Sequence, residues 1–220
     1  GTDYHWYTDF LELLAQKYTV YTFACPGFGK SSNMNYSLNN FNILIDEFLK
    51  SMNLEKVLIV GHSMGAGLAI NYASYKDKTV SVTGLVLVSP WIKAINKSVF
   101  KMINDLSIQN AIALNSYKNQ KAKRNMRKYL LNNLKDIKKG INSLKLLRLI
   151  KNTDLTDKSS SLKIPVLGFY STNDLVLDSE DQAKGLQQIK SAKIFKFENI
   201  GHHLVHIKKE YIISEIEKVY

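Results

Sequence analysis

The sequence predicts an α/β protein whose mostly parallel sheet is covered by helices on both faces. Uninterrupted apolar runs occur at residues 56–60, 82–90 and 163–170, and they alternate with stretches of helical spacing. Strands buried on both faces read as continuous runs, whereas strands of a half-exposed sheet alternate. With 220 residues and 45% hydrophobic content, the chain can bury a substantial core as one domain, with room for an insertion.

Hydrophobic periodicity and turn residues place the individual elements. Predicted strands are residues 18–24, 56–60, 82–90, 163–170 and 192–198. Predicted helices are residues 10–17, 37–53, 64–75 and 210–220. Ser37 is suited to cap the second of these helices because its hydroxyl can accept a hydrogen bond from the first turn.

Residues 91–161 break the alternation, since they contain several helical stretches and no convincing strand. We therefore expect a core formed by residues 1–90 and 162–220, with residues 91–161 as a helical insertion. The net charge of +11 belongs to this insertion: residues 91–160 hold 16 Lys and Arg against 4 Asp and Glu, while the rest of the chain holds 14 against 15.

Two interpretations of the basic segment remain open. It can attract an anionic lipid or an anionic substrate weakly, or it is a lysine- and asparagine-rich sequence whose charges lie on solvated helix faces. We expect no nucleic-acid partner, because the segment carries no recognisable motif. Its four aromatic residues are also too sparse for a base-stacking platform; they are Trp91, Phe100, Tyr117 and Tyr129.

The cysteine and hydropathy patterns predict a soluble, cytoplasmic protein. Cys25 stands alone, so no internal disulfide can form. No apolar run reaches the roughly 18–20 residues needed to span a bilayer, and the first ten residues do not resemble a signal peptide. No set of residues has metal-ligand spacing, and we expect neither a metal nor a cofactor. The oligomeric state does not follow from the sequence.

The stretch VLIVGHSMGAGLAI, residues 57–70, sets Ser63 between Gly61 and Gly65 where a strand meets a helix. One interpretation is a G-x-S-x-G nucleophile elbow, in which small neighbours avoid collisions with the strand and helix. Another is a G-x-x-x-G-x-G dinucleotide turn, supported by a Y-x-x-x-K pattern in residues 72–76. That pattern lies in the same helix as the glycines, too close for a dehydrogenase. A third is that Ser63 simply caps the helix.

A serine nucleophile needs a histidine to accept its proton and a carboxylate to orient that histidine. Asp174 follows a predicted strand in STNDLVL, and His202 lies in NIGHHLVHIKKE before the last helix. Asp178 and Asp181 are rival acids that we place in the next helix. His203 is the rival base.

Four segments together resemble the α/β-hydrolase superfamily. They are YTFACPGFGKSS, VLIVGHSMGAGLAI, GFYSTNDLVL and ENIGHHLVHIKKE, in the family's order. The resemblance implies an α/β-hydrolase fold with a helical lid at residues 91–161. It also implies a catalytic triad of Ser63, Asp174 and His202, where the preceding glycine favours His202 over His203.

The same resemblance implies an oxyanion hole formed by the backbone N–H groups of Met64 and Thr2. Gly1 would match the glycine of the family's His-Gly motif, and the early strands of the fold would then be absent from this sequence. We expect His203 to be a pocket-wall or surface residue and His62 to pack away from the active face. His5 and His206 are expected to be structural.

The GHSMG elbow is similar to those of monoacylglycerol lipases, carboxylesterases and thioesterases. The resemblance thus implies hydrolysis of a small carboxylic ester with an apolar acyl group, with substrate choice set by the lid. A thioesterase and an amide or C–C bond hydrolase remain alternatives. A non-catalytic, hydrolase-like scaffold that binds through its basic segment is an alternative of another class.

Overall fold

The computed structural model describes residues 4–116, 123–124, 127 and 136–220, and their strands form one four-stranded parallel sheet. The strands follow one another in the sheet as they do in the chain. They are β1 (Lys56–His62), β2 (Ser81–Val88), β3 (Val166–Ser171) and β4 (Ala192–Phe197). All three neighbouring pairs are parallel, so the predicted α/β class is confirmed.

Helices connect and cover these strands. Tyr4–Tyr7 forms a 3-10 turn before the first α-helix. The α-helices are α1 (Thr8–Leu14), α2 (Leu38–Ser51), α3 (Met64–Ala73), α4 (Val99–Ser116), α5 (Ile137–Asn152), α6 (Thr156–Ser160), α7 (Ser179–Gln187), α8 (Leu204–Ile207) and α9 (Lys209–Glu217). The Ser37 hydroxyl accepts a hydrogen bond from the Asn40 N–H at 3.1 Å, which confirms the predicted cap of α2.

The core has two layers, one on each face of the sheet. On β2, Leu85 and Leu87 pack into the layer that includes α3, and Val86 and Val88 pack into the layer that includes α1 and α9. All four side chains have no measurable exposure. This two-sided burial is why β2 reads as a continuous apolar run. Because all neighbouring strands are parallel, their carboxyl ends lie at one edge of the sheet, where the loops carrying the candidate residues begin.

The prediction of a strand at residues 18–24 is wrong. This segment has no strand assignment, and no neighbouring strand within the described residues pairs with it. Its side chains still pack, since Val20 borders the layer with α1 and the Phe23 ring lies 4.9 Å from that of Phe48. β-branched and aromatic residues favour an extended backbone, but a strand also needs a hydrogen-bonded partner.

Within its described part, the segment 91–161 contains α4, α5 and α6 and no strand, in agreement with the predicted helical stretches. Helix α4 is anchored near its start by Lys97 and Lys101, whose ammonium groups lie 3.5 and 3.2 Å from the buried carboxylate of Asp105. That the segment acts as a lid stays a prediction. Among the described residues, none of the helices combines the length and apolar character needed to cross a membrane.

Candidate active site

Ser63 lies in a strained turn between the end of β1 and the start of α3. Its backbone has φ 56° and ψ −120°, a conformation that residues with a side chain rarely adopt. Two backbone bonds hold the turn: the Ser63 N–H donates to Val88 O at 2.9 Å, and the Trp91 N–H donates to Ser63 O at 3.2 Å. The Ser63 side chain makes no capping hydrogen bond, so the interpretation that Ser63 serves to cap the helix is wrong.

The glycines around Ser63 differ in their surroundings. A Cβ on Gly61 would lie 2.5 Å from Gly65 O and 2.6 Å from the Ala66 Cα, both backbone atoms that cannot move aside. A Cβ on Gly67 would lie 2.4 Å from the Trp91 ring. At Gly65, the described residues leave open space. The steric reason predicted for both elbow glycines thus applies to Gly61 and not to Gly65.

The Asp174 carboxylate is buried and fully hydrogen-bonded in the loop after β3. Oδ1 accepts the Val176 and Leu177 N–H groups at 2.8 and 2.9 Å. Oδ2 accepts the Gln182 Nε2–H at 2.9 Å and faces His202 Nδ1 at 2.8 Å. Four donors fix the orientation of an anion in a site from which water is largely excluded.

His202 links this carboxylate to the serine. Because Oδ2 of Asp174 can only accept when ionised, His202 Nδ1 carries the proton and Nε2 presents its lone pair. The Ser63 hydroxyl lies 2.9 Å from that Nε2 and donates to it. The structure therefore brings Ser63, His202 and Asp174 into one hydrogen-bonded chain.

The backbone of His202 is held as firmly as its ring. Its carbonyl accepts hydrogen bonds from His62 Nε2–H at 2.9 Å and from the Ser89 hydroxyl at 2.9 Å. The Tyr7 hydroxyl in turn donates to His62 Nδ1 at 3.0 Å. Burial, followed by the nearby His202, lowers the pKa of His62 well below 6.5 and keeps it neutral. His62 thus braces the histidine loop, and the expectation that it packs away from the active face is wrong, because its ring lies 5.0 Å from that of His202.

Two further histidines lie beside this network. His203 is buried and its Nε2 is 2.8 Å from Asn110 Oδ1, so the expectation of a surface position is wrong. Desolvation by burial lowers the pKa of His203 well below its ordinary value and lowers that of His206 to about 3. The rings of both contact Trp6, which explains why these imidazoles are kept out of water.

The other candidate residues are placed as follows. Met64 is the first residue of α3, where a backbone N–H has no acceptor within the helix and is available to an oxyanion. Thr2 and Gly1 lie outside the described residues, so the second predicted donor stays a prediction. The rival acid Asp178 caps α7 through the Glu180 and Asp181 N–H groups and takes no part in the site.

Sequence reasoning missed the residues that support the histidine loop. The His202 N–H donates to Gln109 Oε1 at 2.5 Å, and the N–H groups of Ile200 and Gly201 donate to the Ser171 hydroxyl at 3.1 Å each. No local motif surrounds Gln109, which lies in a lysine- and asparagine-rich stretch. Ser171 could have been found, since it ends a strand immediately before the acid loop.

An open cavity of about 430 Å³ lies where helix α4 meets the acid and histidine loops. Its lining comprises Gln109, Ile112, Thr172, Asn173, Asp174, Leu175, Asn199, Ile200 and Gly201. In the part of the chain that the structure describes, no group of three His, Cys, Asp or Glu side chains is placed to hold a metal ion.

A family model described as serine aminopeptidase, S33, matches residues 1–209 of the chain. The chain belongs to this family. The match covers both candidate loops and the elbow, so the α/β-hydrolase resemblance seen in the motifs is confirmed.

Individual relatives match over a shorter stretch. The abhydrolase domain-containing protein abhd-5.2 of Caenorhabditis elegans is 39% identical over 87 residues, which is 37% of this chain and 19% of the relative. The (lyso)-N-acylphosphatidylethanolamine lipase of Bos taurus is 32% identical over 88 residues, 37% of this chain and 25% of the relative. The aligned region thus spans only about a fifth to a quarter of these family relatives.

The fold agrees with solved structures over nearly the whole chain. A thermophilic esterase from Thermogutta terrifontis aligns with a TM-score of 0.74 and 16% identity, covering 98% of this chain and 84% of the esterase. At this identity the likeness shows the fold alone, and it confirms the α/β-hydrolase fold.

Proposed function

We propose that this member of the S33 family is a serine hydrolase that cleaves carboxylic esters through an acyl-enzyme on Ser63. The observation that carries the proposal is the chain from Ser63 Oγ through His202 to Asp174, with contacts of 2.9 and 2.8 Å. A serine in a strained turn, a base in the correct tautomer and a buried acid are the requirements of nucleophilic acyl transfer.

In the acylation step, Ser63 Oγ attacks the substrate carbonyl carbon while His202 Nε2 takes the hydroxyl proton. Asp174 stabilises the resulting imidazolium, and it has no need to take a proton itself because four donors already satisfy its oxygens. The negative charge on the carbonyl oxygen faces the Met64 N–H and the amino end of α3. We propose the Thr2 N–H as the second donor.

In the collapse of this intermediate, His202 Nε2–H passes its proton to the leaving alkoxide oxygen as the ester C–O bond breaks. A water molecule then approaches the acyl carbon, gives a proton to Nε2 and adds through its oxygen. Collapse returns the proton to Ser63 Oγ and releases the carboxylic acid. Each proton is moved by the same Nε2 atom, whose position the Nδ1 contact with Asp174 fixes.

The choice of an ester with an apolar acyl group rests on the relatives and on the segment 91–161. A 32% identical relative is a lipase by name, and a lid over the site would select the acyl group by its apolar side chains. Helix α4 supports this proposal through Ile112, which lines the cavity beside the acid and histidine loops; Ser63 itself is not part of that lining.

The test is intact-mass analysis after exposure to a fluorophosphonate probe. We expect one adduct on the parent chain and none on Ser63→Ala, with both proteins showing the same cooperative thermal transition. No adduct on a cooperatively folded parent would contradict the hydrolase mechanism. Retention of that protein on heparin without ester turnover would favour the non-catalytic binding scaffold instead.

The leaving group is tested with matched substrates that share one acyl chain. An alcohol ester, a thioester and an anilide of the same acid, together with an amino-acid anilide, separate the alternatives that the family allows. We expect the highest kcat/KM on the alcohol ester and a rise in kcat/KM as the acyl chain lengthens from acetyl to octanoyl. Faster cleavage of the thioester or of the anilides would assign the enzyme to those chemistries.

Helix α5 supports a weak attraction to anionic substrates or lipid headgroups. Its exposed residues combine the cations Lys138, Lys145 and Arg148 with the apolar Ile141 and Leu144. The helix itself has no acidic residue, and Asp136 at its N-cap, 3.7 Å from Lys139, offsets only part of its positive charge. Changing the three cations to Glu should lower kcat/KM on an anionic ester relative to a neutral one. An unchanged ratio would contradict this attraction.

A further inference from the structure

The histidine loop is held from outside the core by one helix. The His202 N–H donates to Gln109 Oε1 at 2.5 Å, and the next residue, His203, pairs its Nε2 with Asn110 Oδ1 at 2.8 Å. Two consecutive residues of α4 thus bind two consecutive residues of the loop. Helix α4 lies 93 residues earlier in the chain, within the predicted lid.

Gln109 is buried, with 3% of its surface exposed, although it lies on a helix whose Phe100 is 83% exposed. A long polar side chain is seldom buried unless its polar atoms are bonded. Its Oε1 satisfies the backbone N–H of the residue that carries the base. Without that acceptor, a buried N–H would lose its partner, which costs more than an ordinary hydrogen bond contributes.

The side-chain amide of Gln109 lies very close to the backbone of Gly201. Its backbone has φ +84°, a region that favours glycine, and a Cβ at this position would lie 2.2 Å from Gln109 Oε1. The absence of a side chain at Gly201 therefore makes room for Gln109. Ser171 holds the preceding N–H groups from the opposite side, so the loop is fixed between β3 and α4.

We propose that Gln109 is a positioning residue for His202, so that the general base is correctly placed only while α4 is seated on the histidine loop. The proposal rests on the hydrolase function proposed above. Gln109 makes its described contact with the backbone of His202 and not with the Ser63 side chain, so it acts through the position of the base. A helix of the predicted lid would in this way contribute to the rate of chemistry as well as to substrate choice.

The experiment compares Gln109→Met, which keeps the length and volume and removes the acceptor, with Gln109→Glu, which keeps an acceptor oxygen. Asn104→Ala, on the exposed face of the same helix, is the matched control. The maximal rate constant of Ser63 labelling by a fluorophosphonate probe is measured with the probe's apparent binding constant, and kcat is measured with KM.

For Gln109→Met we expect about a 10- to 100-fold loss in the maximal labelling rate and in kcat, with binding constant and KM within about twofold. Gln109→Glu should recover most of the rate and shift the pH profile upward, because an added negative charge favours the imidazolium form of His202. A side chain that served only for stability would leave the maximal labelling rate and kcat of the folded Gln109→Met protein at the parent values. Asn104→Ala should behave as the parent.

The amide proton resonance of His202 reports the contact without any turnover. A strong hydrogen bond shifts it downfield, so Gln109→Met should move it upfield and accelerate its exchange with solvent. A parent chain that never labels would overturn the proposed function alone. A parent that labels, with Gln109→Met equally fast and the His202 amide unmoved, would overturn this inference.

Discussion

The serine turn and the histidine loop are built in different ways. Ser63 is positioned mainly by nearby residues, since β1 and α3 meet at Gly61 with no room for a side chain, and by backbone bonds to Val88 and Trp91 at the end of the adjacent strand β2. His202 is positioned by partners far away in sequence: Gln109, Ser89 and His62 lie 93, 113 and 140 residues from it.

This difference implies that substitutions affect the serine turn and the histidine loop in different ways. The serine turn depends on its short sequence, on the strand and helix that flank it, and on backbone bonds to the neighbouring strand β2. A loop held by distant side chains depends on the whole fold, and each support can be lost singly. Substitutions outside the motifs should therefore alter activity when they remove a support of the histidine loop. Substitutions at the serine turn should instead alter the stability of the fold.

The strongest test on the histidine side is Asp174→Asn. The amide would turn an N–H toward His202 Nδ1 and favour the tautomer that presents no lone pair to Ser63. We expect kcat to fall by about 10⁴-fold while the protein stays folded, because the side-chain shape is kept. The matched control is Asp178→Asn, which lies outside the site and should leave kcat within about twofold. Equal losses in both variants would contradict the assignment of the acid.

The corresponding test on the serine side is Gly61→Ala. Its new Cβ would press against backbone atoms at 2.5–2.6 Å, and we expect the free energy of unfolding to drop by about 2–3 kcal/mol in urea titrations. Gly65→Ala supplies the contrast within the same motif, since the described surroundings are open there. Its change should stay under about 1 kcal/mol. A larger loss for Gly65→Ala than for Gly61→Ala would reverse this steric account.

A smaller effect, counted per pH unit and per histidine, is expected from acid. His62, His203 and His206 are buried with lowered pKa values, so below about pH 6.5 the unfolded chain binds protons that the folded chain does not. The free energy of unfolding is therefore highest above that pH. It falls as the pH is lowered, by up to about 1.4 kcal/mol per pH unit for each histidine. For His206 the loss continues down to about pH 3.

Urea unfolding of the parent and of His206→Phe at several pH values measures this slope. The variant should show a shallower fall, because it removes one of the three titrating rings while keeping an aromatic group beside Trp6. Parallel slopes for the two proteins would mean that His206 does not contribute. We expect His206→Phe to change the pH dependence of stability and not the catalytic rate. The reason is that the rings of His203 and His206 do not contact Ser63 in the described geometry.

Much of the fold was predictable because its signals are local. The apolar runs of β1 to β3 and the cap of α2 follow from the residues themselves, and the elbow, acid loop and histidine loop have recognisable short patterns. The strand expected at residues 18–24 was not formed, since extended propensity does not supply a pairing partner. The missed supports of His202 have no pattern at all, because any buried acceptor at the right place would serve.

The sequence by itself determined the α/β class, the order Ser63, Asp174, His202 and the place of each residue after a strand. Those features depend on periodicity and on short turns, which adjacent residues encode. Only the tertiary structure decided that Asp174 Oδ2, rather than a rival acid, meets His202, and that α4 supplies Gln109 to its backbone. These contacts join segments tens of residues apart, and their geometry exists only once the sheet and its covering helices have packed.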